Sequence, residues 1–209
     1  MPKRKRAATP EEPIDSDGPI FWYGVDHKYG AFSQFFPATF TVPKADILGV
    51  VGHPVSSPSV EQKEELVTFN RAEQFMMYSK AICFHDPKSA ALILRSQSPK
   101  EQKSLGRKVE NFTDQKWNAV KRQVVELGST AKFGQNEDLR AMLLGTGDRE
   151  LIEAAPRDRV WGIGFGEKRA RTMTSREKWG QNLLGKALVK ARENLRKDEE
   201  GLGNKPEQE

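Results

Sequence analysis

One cysteine and three histidines in 209 residues leave little for cross-links or metals. Cys83 alone cannot close an internal disulfide, and it excludes a Cys-based metal cluster. His27, His53 and His85 are scattered without metal-ligand spacing. No apolar run approaches the ~18 residues of a membrane-spanning helix, and no secretory signal is visible. There is no Walker loop. The glycine run Gly162-Ile163-Gly164 does not match GxGxxG and has no βαβ unit around it, which argues against a Rossmann site. What remains is a globular but polar chain, 36% hydrophobic and 30% charged, long enough for one domain with an ordinary core. The expectation is an intracellular, reducing setting with no metal and no cofactor.

The net charge of +5 is unevenly spread. Residues 1–18 are balanced and residues 197–209 are acidic, so the body between them holds the basic excess. A basic body suits an anionic partner such as phosphate or nucleic acid, or is simply a solvated lysine-rich surface. The run Lys3-Arg4-Lys5-Arg6 reads as a nuclear address, a weak nucleic-acid contact, or an ordinary basic stretch in a disordered tail. The chain therefore divides into a tail (1–18), a domain (19–197) and an acidic tail (198–209).

Within the domain, Ile20–Tyr23, Phe32–Phe36, Thr39–Val42 and Glu65–Phe69 read as short strands. Residues 43–62 are rich in Pro, Gly and Ser and read as a long surface loop. The remainder reads as helix. Asn70 with Glu73 forms a capping-box pattern for a helix that runs to about Phe84. Asp86-Pro87, Ser98-Pro99 and Thr113 open the next three, and Asn136 caps a short one that ends at Gly145. Trp117, Val120, Val124, Leu127 and Ala131 form one apolar stripe, and Leu184, Leu188, Ala191 and Leu195 another. The fold class is mainly α, a multihelical single domain with a small β-sheet near its N-terminus.

Three segments mix polar groups with apolar residues and glycines: Glu73–Ala81, Trp161–Gly164 and Trp179–Gly185. That mixture suits a pocket for a flat ring with acid–base chemistry beside it. Glu73, Met76, Met77 and Lys80 share a helix face, so the methionines can desolvate the carboxylate and raise its pKa. The plain alternative is a capping-box glutamate. Trp117 and Trp161 can stack on a ring, although Trp117 also starts a core stripe. Gly162 and its neighbours allow close backbone approach to a ligand. Asp158 and Glu153 are the remaining acids, with alternation in Leu151–Ala155 aiming Glu153 opposite Ile152. Asn182 either caps a helix or reads a ligand's polar edge. Gly185 within an apparent helix costs ~1 kcal/mol against alanine, which implies a close approach there. Lys80, Arg107 and Lys132 can hold phosphate, Arg107 with a bidentate fork.

Tyr29–Phe35, Glu73-Gln74-Phe75, Leu105-Gly106-Arg107, Trp117, Lys132-Phe133, Leu143–Thr146, Asp158–Gly162 and Asn182–Gly185 occur in an order that resembles the NADAR, or YbiA-like, family over about residues 20–196. The resemblance implies a mainly helical fold and N-glycosidase activity on a ribosyl carbon–nitrogen bond. Substrates associated with the family are phosphoribosylamino-pyrimidine intermediates of riboflavin synthesis and ADP-ribosyl adducts, including ADP-ribosylated guanine in nucleic acid. By matching motifs, Glu73, Trp117, Asp158, Trp161 and Asn182 fall on pocket positions. Glu73 and Asp158 are the expected catalytic pair. Gly162, Lys80, Arg107, Lys132 and Phe32 join the substrate-contacting set. Gln34 stands where the family often has asparagine, and Ala72 where a small hydroxyl residue is common; the 43–62 segment looks longer than usual. A non-catalytic module binding ADP-ribose or nucleic acid is the alternative from another class, and a purely structural helical adaptor is a third.

Overall fold

The computed structural model describes residues 17–53 and 65–203. Among these, two small sheets sit against a set of helices. Strand β1 (Ile20–Trp22) opens the domain, a 3-10 turn covers Gly30–Phe32, and β2 (Pro37–Pro43) leads into α1 (Lys44–Val50). Strand β3 (Leu66–Arg71) passes directly into α2 (Ala72–Cys83). Then come α3 (Pro87–Arg95), α4 (Pro99–Arg107), α5 (Asp114–Gly134), α6 (Glu137–Leu144), β4 (Leu151–Glu153), α7 (Glu167–Arg171) and α8 (Leu183–Gly203).

The core is built around α2, which is buried along nearly its whole length and packs against α3, α4 and α5, while α5 also lies against α8. Both sequence stripes face this core: Val124 on α5, and Leu184, Leu188, Ala191 and Leu195 on α8, are fully buried. The helix starts are set by their caps. Asp86, Ser98 and Thr113 accept from the backbone N–H of Ser89, Glu101 and Lys116, and the first two are followed by proline in the opening turn. Strands β2 and β3 pair antiparallel, Phe40 opposite Phe69. Strand β1 pairs in parallel with β4, Trp22 opposite Glu153. The two faces of that pair bury different clusters. Ile20, Trp22 and Leu151 enter the main core, whereas Phe21 and Ile152 pack with Ile163 and Ala170.

Several sequence expectations change. Residues 44–50 are helix, not loop. Ile47 and Val51, one turn apart, seat it on the core, and Lys44 anchors it to Glu65 through both backbone and side chain. Residues 54–62 of the expected loop lie outside the described residues, as does the Lys3–Arg6 run. Phe32–Phe36 is not a strand, because the chain turns there through the 3-10 element and two turns. Asn136 does not cap α6; its amide donates to the carbonyls of Thr39 and Lys132. Helix α8 continues through residues 198–203, past the expected start of the acidic tail. No described helix is long and apolar enough to cross a membrane.

Candidate active site

The capping-box reading of Glu73 fails for a local reason. Helix α2 starts at Ala72, and it is the Gln74 side chain that accepts from the Asn70 backbone N–H, at 2.8 Å. The Gln74 amide donates on to the carbonyls of Ile93, Leu94 and Ser96. Glu73 is thus released from capping duty. Its N–H donates to the Gln34 carbonyl at 2.9 Å, while its carboxyl is buried (3% exposed), with Oε1 lacking a hydrogen-bond partner among the described residues. Burial pushes its pKa from 4.5 up to about 7. The cationic side chains of Lys103 and Arg107 pull the other way, and Asp158 adds to the rise.

The carboxyl faces a cavity of about 1020 Å³. Met76, Met77 and Lys80 of α2 line it with Glu73, as their helical spacing predicts. Trp117 of α5 and Trp161 of the loop after β4 line the same space. Lys103 and Arg107 come from α4, Lys121 from α5, and Arg157 and Arg159 from the β4 loop. The α2–α4 crossing is close because of Gly106. A Cβ there would overlap the Met77 side chain, and the Gly106 carbonyl accepts from Lys80 Nζ at 2.8 Å. Lys80 also sits 3.9 Å from the Phe112 ring centre. Burial lowers its pKa, with Asp114 opposing.

The β4 loop is held from within and from outside. Asp158 Oδ1 accepts from the N–H groups of both Val160 and Trp161 at 2.8 Å, which turns the Trp161 indole toward the cavity. The N–H groups of Gln181, Asn182, Leu183 and Leu184 then donate to carbonyls of residues 159–162. One carboxylate oxygen of Asp158 is therefore occupied by the loop it shapes.

A third cavity carboxyl is Glu153, at the end of β4. It is half-buried, and its Oε2 is buried without a partner. Burial and the neighbouring Asp158 raise its pKa from 4.5 to about 7, Lys103 opposes, and Glu73 adds to the rise. Alternation along 151–155 aimed Glu153 away from Ile152, as the strand does. The pairing with β1 that carries it to Glu73 had no local signal.

Four residues expected at the site are placed elsewhere. Lys132 is buried in the core, its Nζ donating to the carbonyls of Ala31 and Ser33, where burial lowers its pKa to about 7. It braces the Ser33–Phe35 wall from behind and does not reach the cavity. Phe32 is a core ring, edge-on to Trp22 and stacked on Tyr29. Gly162 faces β4, where a Cβ would come within 2.7 Å of the Glu153 carbonyl. Asn182 ties α8 to β4: its Nδ2 donates to the Leu151 carbonyl at 2.8 Å and its Oδ1 accepts from the Glu153 N–H at 3.0 Å. Lys103, Arg157, Arg159 and the exposed Tyr23 line the cavity unforeseen; Lys103 shares an α4 face with Arg107 at i, i+4, and that spacing was its one available signal. Among the described residues, no group of three or more His, Cys, Asp or Glu side chains could hold a metal ion.

The NADAR domain model matches residues 20–196. The chain belongs to the NADAR family. N-glycosidase R617 of Acanthamoeba polyphaga mimivirus is 34% identical to this NADAR chain over 183 residues, 86% of the chain and 98% of the relative. Protein irg-1 of Caenorhabditis elegans is 35% identical over 167 residues, 78% of the chain and 74% of the relative. Among solved structures, the NMR structure of the Escherichia coli protein YbiA superposes with a TM-score of 0.62 at 27% identity, covering 92% of each chain. The NADAR fold of YbiA is thus the fold seen here.

Proposed function

We propose that this chain hydrolyses a ribosyl N-glycosidic bond, either in a phosphoribosylamino-pyrimidine or in an ADP-ribosyl adduct such as ADP-ribosylated guanine. The observation that carries the reading is the buried Glu73 carboxyl, with a free oxygen, facing the same cavity as Trp117 and Trp161. Breaking a ribosyl C–N bond builds positive charge on the sugar, and a carboxylate next to it stabilises that charge and can activate water. Glu73 has that role. Trp117 and Trp161 hold a flat ring by stacking. Arg107, with Lys103 beside it, takes phosphate. Asp158 holds Trp161 and the loop in place. That relatives such as R617 of the mimivirus are named N-glycosidases supports the same reaction class.

The test is a product assay on the full chain with the riboflavin intermediate, ADP-ribose, NAD and ADP-ribosylated guanine in DNA, comparing wild type with Glu73→Gln. Release of ribose phosphate or ADP-ribose should fall on the order of 10²-fold or more in the variant. Failure of the wild type on all four substrates returns the site to a binding module, and an unimpaired variant removes Glu73 from the reaction.

A further inference from the structure

Resting on that reading of the site, we propose that Glu153 is a second catalytic carboxyl, which shares one proton with Glu73 and delivers it to the departing nitrogen. Two acids, Glu73 buried and Glu153 half-buried, reach one cavity from elements far apart in sequence. Glu73 comes from the start of α2, and Glu153 from the end of β4, where it is held by the parallel pairing with Trp22 and by the Asn182 amide on its own N–H. Each leaves one carboxyl oxygen buried without a partner among the described residues, Oε1 of Glu73 and Oε2 of Glu153. A buried free oxygen on both is costly unless a proton or a substrate atom meets it. Asp158 has one oxygen committed to the loop, its Oδ1 accepting from two backbone N–H groups.

The surroundings divide the two roles. Burial disfavours ionisation of both acids; at Glu73 Asp158 adds to this, while Lys103 and Arg107 favour the ionised form. Around Glu153 only Lys103 does so, while Asp158 and Glu73 both favour the protonated form. Arg107 is the added cation beside Glu73, and the shared proton is assigned to Glu153 on that ground. In the reaction, the water oxygen bonds to the anomeric carbon as the carbon–nitrogen bond breaks. The nitrogen keeps that bond's electron pair and takes the Glu153 proton, and the water's spare proton passes to Glu73. The pair ends with one proton as it began, now on Glu73, and exchange with solvent resets it.

The experiment uses Glu153→Gln, Glu73→Gln and the double variant, each checked for native folding by circular dichroism. On a neutral amine or guanine N-riboside, E153Q should lose on the order of 10²-fold in kcat, and the double variant little more than the worse single. A pyridinium N-riboside such as NAD departs as a neutral base and needs no proton, so E153Q should spare whatever turnover the wild type shows on it. Infrared titration of the glutamate carboxyls without substrate should show one protonated carboxyl near neutral pH, lost in E153Q. Turnover unimpaired in E153Q, equal losses on both substrate types, or a spectrum with both acids ionised at pH 7 overturns the role of Glu153 and leaves Glu73 standing. A wild type inactive on every substrate sinks the glycosidase reading itself.

Discussion

At the scale of single residues, the site stores instability that pH can reveal. Glu73 has a folded pKa of about 7 against an ordinary 4.5. The folded state therefore binds more protons than the unfolded chain between those values, and stability falls as pH rises through that window. At about 1.4 kcal/mol per pH unit, this is on the order of 3 kcal/mol for Glu73, fully felt above pH 7. Lys132 acts in the opposite sense. Its folded pKa of about 7 lies below the ordinary 10.5, so its stabilisation is complete above 10.5 and is lost as pH falls toward 7. Glu73→Gln removes only the first effect. Thermal melts should show the variant gaining over wild type by several degrees at pH 8 and losing that advantage at pH 4.5; a gain independent of pH overturns the assignment. Sequence showed half of this. The i, i+3, i+4 spacing of Glu73, Met76 and Met77 put an acid between apolar walls, and the cavity has them so. Lys132 was misread as a phosphate ligand because a lysine's burial cannot be seen in one dimension: its partners are carbonyls some hundred positions away.

At the scale of elements, local chemistry was legible and long-range pairing was not. Asp86, Ser98 and Thr113 cap as their positions require, since the hydrogen bond reaches only three residues ahead. Helix α1 was hidden by Pro43, Gly49 and Gly52, because its stability comes from seating Ile47 and Val51 on the core, not from propensity. The β1–β4 pair joins segments about 130 residues apart, and nothing near either names its partner. What fixes β4 is the start of α8. Gly185 packs so closely on it that a Cβ would strike the Leu151 carbonyl, which is the close approach its glycine implied. Gly185→Ala should therefore cost on the order of 2 kcal/mol through overpacking, lowering Tm by several degrees. Glu153 rides on the same strand, so turnover should fall with it. Asn182→Ala leaves the Leu151 carbonyl and the Glu153 N–H without partners, and should cost about 1–3 kcal/mol. Melts and kcat that match wild type in both variants would show that α8 does not set β4.

At the scale of the whole molecule, the basic balance has an address. Cations that form ion pairs among the described residues include Lys44, Arg122, Arg140, Arg171, Arg176, Lys190 and Arg196. None of them lines the cavity. Lys103, Arg107, Lys121, Arg157 and Arg159 do line it, and none of these is in an ion pair among the described residues. Glu73, Asp114, Glu153 and Asp158 line the cavity too, but these five cations and Lys80 outnumber them, so a positive excess is left around one mouth. Composition gave the excess but not its position, since the five come from α4, α5 and the β4 loop. Such a mouth attracts phosphate, and exposed phosphate contacts weaken as salt competes for them. For a phosphorylated substrate, kcat/KM should fall as salt rises from about 50 to 300 mM, more steeply when the modified base is carried in nucleic acid than when it is free. Arg107→Ala and Arg157→Ala should each flatten the slope of log(kcat/KM) against log[salt] by about 1. Arg157→Ala should leave the pH profile unmoved, whereas Arg107→Ala should move it upward, because Arg107 holds the Glu73 pKa down. A slope that matches wild type in both variants would mean that the phosphate lies away from this rim, and that the open cations serve only to keep the surface basic.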